Sequence, residues 1–358
     1  LYSNSLTKSD SLKIEIDKSM TYRYTNHQLI DTNSSTLLLV SDLNNNGFSI
    51  LDLENEKFVK NITFNVTGPN GIGTNSGGRS FYYHNSDSIF LFSGRQKKIF
   101  LANSNKEIFK SIDLVKIADF NIGEPVVSSR RQLFYNKEEN IFSFVIYPIA
   151  SSVENGLRNS TEDPVLVNLN INNLSVSKYN IEYGINSENI HYEFFLPLIT
   201  HNNKELQLLF PLSNKIYNFK NQKQNYSVEI KSDFVEEYKP LVKGDYSIFD
   251  KFFIESSFNN LLLYNKYENL YYLIIELSIP FINPDTGKQN QYEQKPFSVL
   301  VFDNKFNKLT EQWFEGGKYL IQNCFVGPKG LYLSKNNPLN PDFDENFYSY
   351  DIYSLEKD

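Results

Sequence analysis

Three arginines are the residues of this sequence best suited to hold a ligand. Arg79, Arg130 and Arg131 each stand where a long polar link leads into a run of alternating apolar residues. Guanidinium groups bind planar anions through paired hydrogen bonds, so convergent arginines would suit carboxylates, sulfates or acidic sugars. Arginines in such positions also pair with nearby acidic side chains, here for example Glu124 or Asp87, and the sequence leaves both interpretations open.

A histidine and several aromatic residues are further candidates. His191 lies two residues before Glu193 at the start of an expected inner strand, where a general base could face a channel. A packed or surface histidine is the alternative. Aromatic rings could offer flat surfaces to a sugar or a peptide, although with 15% aromatic residues most must belong to the core. These rings are Tyr82, Tyr147, Tyr192, Tyr246 and Trp313.

The sequence predicts no metal, no cofactor and no catalytic residue. Its four histidines show no paired metal-ligand spacing, and Cys324 is the single cysteine. Residues 42–47 resemble the start of a calcium loop, but Leu53 stands where the last ligand should be, and an Asn-Gly hairpin turn explains the segment. The acidic loop at 340–346 is a slightly better cluster of oxygen ligands, although such loops are mostly solvated. No GxSxG nucleophile elbow occurs.

Repeated β-hairpins must position these residues. Residues 48–64 consist of two alternating strands joined by the polar turn ENEK, with Phe58, Ile62 and Phe64 on one face of the second strand. The unit recurs at 97–114, 163–183, 214–230 and 295–314, and a last single strand lies at 345–357. Residues 12–17 alternate as well, and they can supply the missing partner of that last strand.

Hairpins that recur at about 50 residues, with four short strands per unit, are typical of a β-propeller. We therefore predict an all-β fold, a six-bladed β-propeller closed by pairing of the N-terminal strand at 12–17 with the last blade at 346–352. Residues 1–11 are predicted to be a polar tether or a frayed terminus, ahead of one domain at 12–358. The predicted blades span 18–64, 79–114, 131–182, 192–231, 260–314, and 322–352 with 12–17.

The insertions fall on one side of the predicted ring. We label the strands of a blade a to d from the innermost outward; the a–b and c–d turns are short. The b–c and d–a links leave the same face because successive strands alternate in direction, and we call it the long-loop face and the opposite one the short-turn face. Loops on a rigid scaffold often carry function, so we predict binding at the long-loop face. Its long links are 65–78, 115–130, 149–163, 232–259, 280–296 and 335–345.

Composition argues against several classes of partner. The net charge is −7 and no basic stripe appears, which argues against nucleic acid and anionic membranes as partners. No apolar run reaches membrane-spanning length, and the apolar stretch at 270–277 is predicted to be a core strand. The chain begins at Leu1 rather than Met, which is consistent with removal of a leader upstream.

A glycine-rich link carries a family resemblance. The first d–a link contains GPNGIG at 68–73, which lacks the Lys-Ser/Thr ending of a phosphate loop, so its glycines are expected to form a tight crossover at positive φ. Together with the blade pattern, this link resembles the propeller lipoproteins of Bacteroidetes grouped as domain of unknown function 4221 and, more broadly, TolB-like six-bladed propellers. The resemblance implies a cell-envelope protein, periplasmic or anchored in the outer membrane and exposed at the surface, and the family supplies no catalytic residues to carry over. The lipobox cysteine of such an anchor is absent from this chain.

These patterns predict a binding module rather than an enzyme. The expected partner is a protein, peptide or glycan at the long-loop face. A propeller hydrolase or lyase with its site at the channel mouth is the alternative, and a module that scaffolds an envelope complex is a third possibility. The predicted ligand-binding residues are Arg79, Arg130, Arg131, His191, Glu193 and Tyr246.

Overall fold

The structure is a computed structural model that describes residues 4–74, 79–147, 153–154, 157–158, 165–179, 181, 196–202, 204–239 and 249–356. Six antiparallel sheets follow one another along the chain, which confirms the predicted all-β, six-bladed propeller. Each blade is ordered a to d from the inside outward. No helix among these residues is long and apolar enough to cross a membrane.

The first three blades are built from the N-terminal half of the chain. Blade one consists of β2 (Tyr24–Asp31), β3 (Thr36–Asp42), β4 (Gly47–Asp52) and β5 (Lys57–Thr63). Blade two consists of β6 (Ser80–Asn85), β7 (Ser88–Ser93), β8 (Lys98–Ala102) and β9 (Ile108–Asp113). In blade three, β10 (Pro125–Val126) and β11 (Phe134–Asn136) both pair with β12 (Ile141–Ile146), followed by β15 (Leu166–Asn170) and β16 (Val176–Lys178).

The other three blades use the C-terminal half and the N-terminal strand. Blade four consists of β17 (Leu198–Asn202), β18 (Glu205–Leu209), β19 (Lys215–Lys220) and β20 (Lys223–Glu229). Blade five consists of β21 (Phe258–Asn265), β22 (Leu270–Glu276), β23 (Phe297–Phe302) and β24 (Lys308–Phe314). Blade six consists of β25 (Phe325–Gly327), β26 (Gly330–Ser334), β27 (Phe347–Glu356) and β1 (Ser5–Glu15).

A few short elements lie in the links between strands. β13 (Val153–Glu154) pairs with β14 (Leu157–Arg158). Among the described residues, α-helices lie at α1 (Leu114–Ile117) and α2 (Phe249–Glu255), and 3-10 turns lie at Tyr292–Gln294 and Ile321–Asn323.

Alternating apolar residues bury each blade against its neighbours. On β5 Ile62 is buried and Val59 is exposed, as the period of two predicts. Aromatic pairs join adjacent blades: Phe48 stacks on Phe81 with ring centroids 4.5 Å apart. The core is therefore formed between the sheets, which leaves the inner strands to line a central channel.

The N-terminal strand completes the last blade, as predicted. β1 pairs antiparallel with β27, with Leu12 opposite Tyr350, and Lys8 lies 2.8 Å from the Asp351 carboxylate. The predicted tether at 1–11 is wrong in extent, because β1 already begins at Ser5. The outermost strand of a blade buries few side chains, so this polar segment shows almost no hydrophobic pattern.

Two blades have inner strands that begin later than predicted. The blade predicted from residue 131 has its inner strand β11 only from Phe134, because the residues before it leave the blade. The blade predicted from residue 322 has its inner strand β25 only from Phe325, after the 3-10 turn. Arg130 and Arg131 therefore precede the inner strand of blade three and do not belong to it.

Candidate functional site

Arg79 lies inside the protein. Its side chain is fully buried, and its guanidinium donates to Asn46 Oδ1 at 2.5 Å, to the Gly73 carbonyl at 2.7 Å and to the Phe92 carbonyl at 3.3 Å. Burial lowers the pKa of Arg79 to about 10. These contacts hold the glycine-rich link against blades one and two, and they favour a structural role for Arg79 over ligand binding.

The glycine-rich link itself forms the tight crossover that was predicted. Gly68 and Gly73 have φ of +89° and +73°, as expected. Gly71 was expected at positive φ as well, and this is wrong. A side chain at Gly71 would place its Cβ 2.6 Å from the Thr67 carbonyl carbon, so close approach of the backbone requires glycine there.

Residues 127–132, which we call the closing segment, lie across the central channel. They bond to β2, β6, β17 and β21, the inner strands of blades one, two, four and five. The bonds join Ser80 Oγ to Val127 O (2.6 Å), Ser129 N to Thr25 O (3.0 Å), Ile199 N to Arg130 O (3.2 Å) and Arg130 Nε to Asn260 Oδ1 (2.9 Å). A segment that contacts inner strands of four blades obstructs the channel on the side from which it arrives, the long-loop face.

Arg130 is one end of a buried polar network. Asn260, which accepts from Arg130, donates to the Tyr292 hydroxyl at 3.1 Å, and Tyr292 in turn donates to the Glu276 carboxylate. Burial raises the pKa of Tyr292 well above its ordinary value. Lys295 Nζ lies 4.0 Å from that carboxylate. The network ties the closing segment to the b–c link of blade five.

Arg131 occupies a third environment. It is 7% exposed, its backbone N–H donates to the Ser128 carbonyl at 3.0 Å, and it forms a parallel bridge to Ile199 of blade four. Each of the three arginines is therefore held by a different part of the fold. His191, Glu193, Tyr246 and Tyr192 lie outside the described residues.

A cavity of about 750 Å³ occupies the part of the channel that opens on the short-turn face. Inner-strand residues of all six blades line it, and Val127 and Gln132 of the closing segment bound it. The cavity is therefore blind toward the long-loop face. The prediction that a partner binds the long-loop face is not tested by this cavity and stays a prediction.

Two a–b turns at the cavity mouth share the sequence Tyr-Asn-Lys-X-Glu-Asn, at 135–140 in blade three and 264–269 in blade five. In each turn the tyrosine hydroxyl donates to the last asparagine, at 2.7 and 2.8 Å. In each turn the first asparagine also donates to the glutamate. The last asparagines have φ of +54° and +57°, which this residue type tolerates.

The two turns hold Tyr135, Lys137, Tyr264 and Lys266 in the lining of the mouth. Loop length did not predict these turns as a binding site, because they are short. The repeated six-residue motif was the signal that would have identified them.

Of the described residues, four lysines and one acidic residue line the mouth, namely Lys137, Lys204, Lys220, Lys266 and Glu138. Lys266 forms an ion pair with Asp31, which also accepts from Tyr267. Within the parts of the chain that the structure describes, no carboxylate lies within 4.0 Å of the amino groups of the other three lysines. The mouth is thus a positive region on a chain whose net charge is −7.

The polar groups of the cavity wall are largely occupied by the protein. Asn26 donates to the Phe81 carbonyl at 3.1 Å, and Gln28 both donates to and accepts from the Tyr83 backbone at 2.8 Å. His27 Nδ1 lies 2.9 Å from Ser129 Oγ of the closing segment. Apolar surface lies between these groups, from Leu29, Phe81, Val127, Leu133, Phe134, Leu263 and Val326.

Two histidines of the lining are held neutral. Burial lowers the pKa of both His27 and His201 to about 4. His201 Nδ1 has no hydrogen-bond partner among the described residues. The described residues also contain no group of three His, Cys, Asp or Glu side chains that could hold a metal ion.

Comparisons with known proteins identify the family and the fold. Residues 3–313 match the family model described as domain of unknown function (DUF4221). A crystal structure of a DUF4221 member from Bacteroides vulgatus ATCC 8482 is 19% identical, with a TM-score of 0.80 over 100% of this chain and 99% of that one. A protein of Bacteroides fragilis NCTC 9343, named as a candidate exported protein, is 12% identical, with a TM-score of 0.55 over 99% and 96%. No curated protein matches the sequence.

Proposed function

The chain belongs to the family described as domain of unknown function DUF4221, and from this premise we propose that it is a binding module that takes a small ligand into its central cavity through the short-turn face. The observation that supports this proposal is the blind cavity of about 750 Å³ with lysines and held tyrosines at its mouth. Ligand sites in proteins commonly have volumes of roughly 300–1,000 Å³ and mostly apolar walls.

Binding is favoured over catalysis by the state of the cavity's own groups. Among the described residues of the cavity lining and the closing segment, His27 and Ser129 at 2.9 Å resemble a base and a nucleophile. A histidine with a pKa of about 4 is a weak base at neutral pH, and Ser129 is buried and also bonds to the Thr25 carbonyl. No carboxylate bonds to His27 among the described residues. This pair holds the closing segment in place.

The long-loop face is a second candidate site, for a protein, peptide or glycan. A groove of about 580 Å³ lies there, lined by α2 and the stretch 289–292. Several large apolar side chains of the b–c and d–a links are also exposed, which is the surface property expected of a contact site. They are Leu43, Val66, Val115, Phe234, Ile282 and Leu339.

We place the protein in the cell envelope, with a lipid anchor upstream of this chain. The family resemblance supports this proposal, and so does the name of the Bacteroides fragilis neighbour as a candidate exported protein. Fractionation of the native host with an antibody against this chain tests the proposal. Recovery in the cytosolic fraction would contradict it.

The cavity proposal is tested by filling the cavity. Leu29 lines it and is only partly buried, so Leu29→Trp should occupy the space without breaking the core. Leu339→Trp, at an exposed position on the long-loop face, is the matched control. Each protein is incubated with a small-molecule extract of the envelope, desalted and examined by native mass spectrometry.

We expect bound masses on the wild type and on Leu339→Trp, and none on Leu29→Trp. The same masses on all three proteins would overturn the cavity proposal. Loss from Leu339→Trp alone would favour the long-loop face instead.

A further inference from the structure

We infer that the ligand of the central cavity is an amphiphilic anion: its apolar body lies in the cavity and its anionic group binds Lys137, Lys204 and Lys220 at the mouth. The inference rests on the proposed function, and it adds the chemical class of the ligand. It is carried by the charge of the mouth, the occupied polar groups of the wall and the equivalence of the two six-residue turns.

The charge of the mouth is concentrated on one side. Lys137 belongs to the a–b turn of blade three, and Lys204 and Lys220 belong to turns of the adjacent blade four. Glu138 is the one acidic residue among the lining residues described. The lining residues on this side comprise three lysines and one glutamate, an excess of positive charge that attracts an anion even though the whole chain is acidic, although Glu139 and Glu205 lie beside these lysines in sequence and reduce it.

The part of the wall formed by blades one and two, and the two tyrosines of the turns, offer few free hydrogen-bonding groups to a ligand, while His201 Nδ1 is left without a partner among the described residues. Asn26 and Gln28 already bond to backbone groups of blade two, and the hydroxyls of Tyr135 and Tyr264 bond to asparagines of their own turns. The buried polar groups of a sugar or an extended peptide would exchange water for few partners here, which is unfavourable. An aromatic or aliphatic body loses nothing in this way.

The chain itself shows how the lysine of such a turn binds a carboxylate. In blade five the turn lysine Lys266 holds Asp31, and the Tyr267 hydroxyl donates to the same carboxylate. In blade three Lys137 occupies the equivalent position of the equivalent turn. Glu138 stands where Tyr267 stands in blade five, so the hydroxyl contact is not repeated in blade three. A ligand carboxylate at Lys137 would take the place that Asp31 takes at Lys266, with the lysines of blade four instead of that hydroxyl.

The inference is tested by calorimetric titration with naphthalene-2-carboxylate. Two further probes separate the contributions of the apolar body and the anionic group. Naphthalene-2-carboxamide keeps the aromatic body without the charge, and acetate keeps the carboxylate without the aromatic body. The protein variants are a triple substitution, Lys137→Gln with Lys204→Gln and Lys220→Gln, and the control Lys329→Gln. Lys329 lies in the a–b turn of blade six, paired with Asp10.

We expect the carboxylate to bind the wild type and Lys329→Gln equally, and at least about tenfold more weakly to the triple variant, because a charge-assisted contact is lost. The carboxamide should bind the wild type as weakly as the carboxylate binds the triple variant. Acetate should not bind measurably.

The outcomes separate the inference from the function on which it rests. If the carboxylate does not bind, or if carboxylate and carboxamide bind all variants alike, the anionic class is wrong. The cavity proposal survives that result when Leu29→Trp still abolishes capture of the extract ligand. If Leu29→Trp leaves carboxylate binding unchanged, the probe binds outside the cavity and the anionic class is wrong, while the cavity proposal is still decided by capture of the extract ligand.

Discussion

The two ends of the central channel differ in how they use their loops. At the long-loop end, the long links supply the closing segment and part of the network from Arg130 to Glu276. The polar groups of this network form hydrogen bonds with one another. At the short-turn end, each six-residue turn is held by a hydrogen bond between its own tyrosine and asparagine, and lysines line the open mouth of the cavity. Loop length therefore indicates where residues have been inserted, and here the inserted residues include the closing segment, which obstructs the channel. The open cavity lies at the opposite end.

Removing Arg79 should break the long-loop end most severely. Arg79→Ala leaves the acceptors Asn46, Gly73 and Phe92 without their buried donor. We expect the free energy of unfolding to fall by about 3–5 kcal/mol, since each unsatisfied buried group costs roughly 1–3 kcal/mol. Urea denaturation measures the loss.

Arg95→Ala is the control, because Arg95 is exposed on the turn after β7 and substitutions at exposed positions usually change stability by less than about 0.5 kcal/mol. Equal stability of the two variants would show that Arg79 does not hold the link. It would then return to the list of candidate ligand-binding residues.

The buried network should also give the long-loop end a pH dependence. Burial lowers the pKa of Lys295 to about 8, below its ordinary 10.5, while its Nζ donates to the carbonyls of Phe253 and Ser256 at 2.6 and 2.8 Å. The folded state therefore releases this proton at lower pH than the unfolded state does. Between pH 8 and 10 the contribution of Lys295 to stability rises with pH, and below pH 8 it is constant and unfavourable.

Comparison of the wild type with Lys295→Met isolates the contribution of Lys295 to the pH dependence of stability. From pH 7.5 to 9.5 the wild type should gain up to about 2 kcal/mol relative to the variant, a shift of 1.4 kcal/mol for each pH unit above 8. Lys288→Met, in the same link but exposed, should track the wild type. A constant difference between wild type and Lys295→Met across this range would contradict the lowered pKa.

At the short-turn end, the equivalence of the two turns can be measured directly. Tyr135→Phe and Tyr264→Phe each remove one hydroxyl–asparagine hydrogen bond, of 2.7 and 2.8 Å. Each should lower the free energy of unfolding by about 1 kcal/mol, the typical net contribution of such a bond. Thermal denaturation of both variants measures it. A large cost at one turn and none at the other would show that the repeated motif does not form the same structure twice.

Much of the fold could be predicted because strand signals are local. The predicted hairpins at 48–64, 214–230 and 295–314 coincide with the strand pairs β4–β5, β19–β20 and β23–β24. There, β-branched and aromatic residues alternate between polar turn residues, so that a few neighbouring positions determine the conformation. Pairing of the N-terminal strand with the last blade followed from counting complete hairpins.

The site could not be predicted in the same way, because its residues meet only through the closed ring. Arg130 reaches Asn260, and Ser129 reaches Thr25, across more than a hundred residues of chain. Nothing in the sequence next to Arg131 shows that its partner is Ile199 of the next blade. The turn motif was visible in the sequence, but its meaning depends on two turns facing one channel.

The smallest effect is expected from Asp31, whose substitution compares the blade-five side of the mouth with the side formed by blades three and four. Asp31→Asn removes the carboxylate that occupies Lys266, while its side chain can still accept from Tyr267. Both members of this pair are more than 40% exposed, so stability should fall by no more than about 0.5 kcal/mol. The released lysine should tighten binding of naphthalene-2-carboxylate roughly two- to fivefold, as an added charge at an exposed rim does. Unchanged affinity in Asp31→Asn would mean that the blade-five side of the mouth does not contribute to anion binding, and that the anion site is confined to blades three and four.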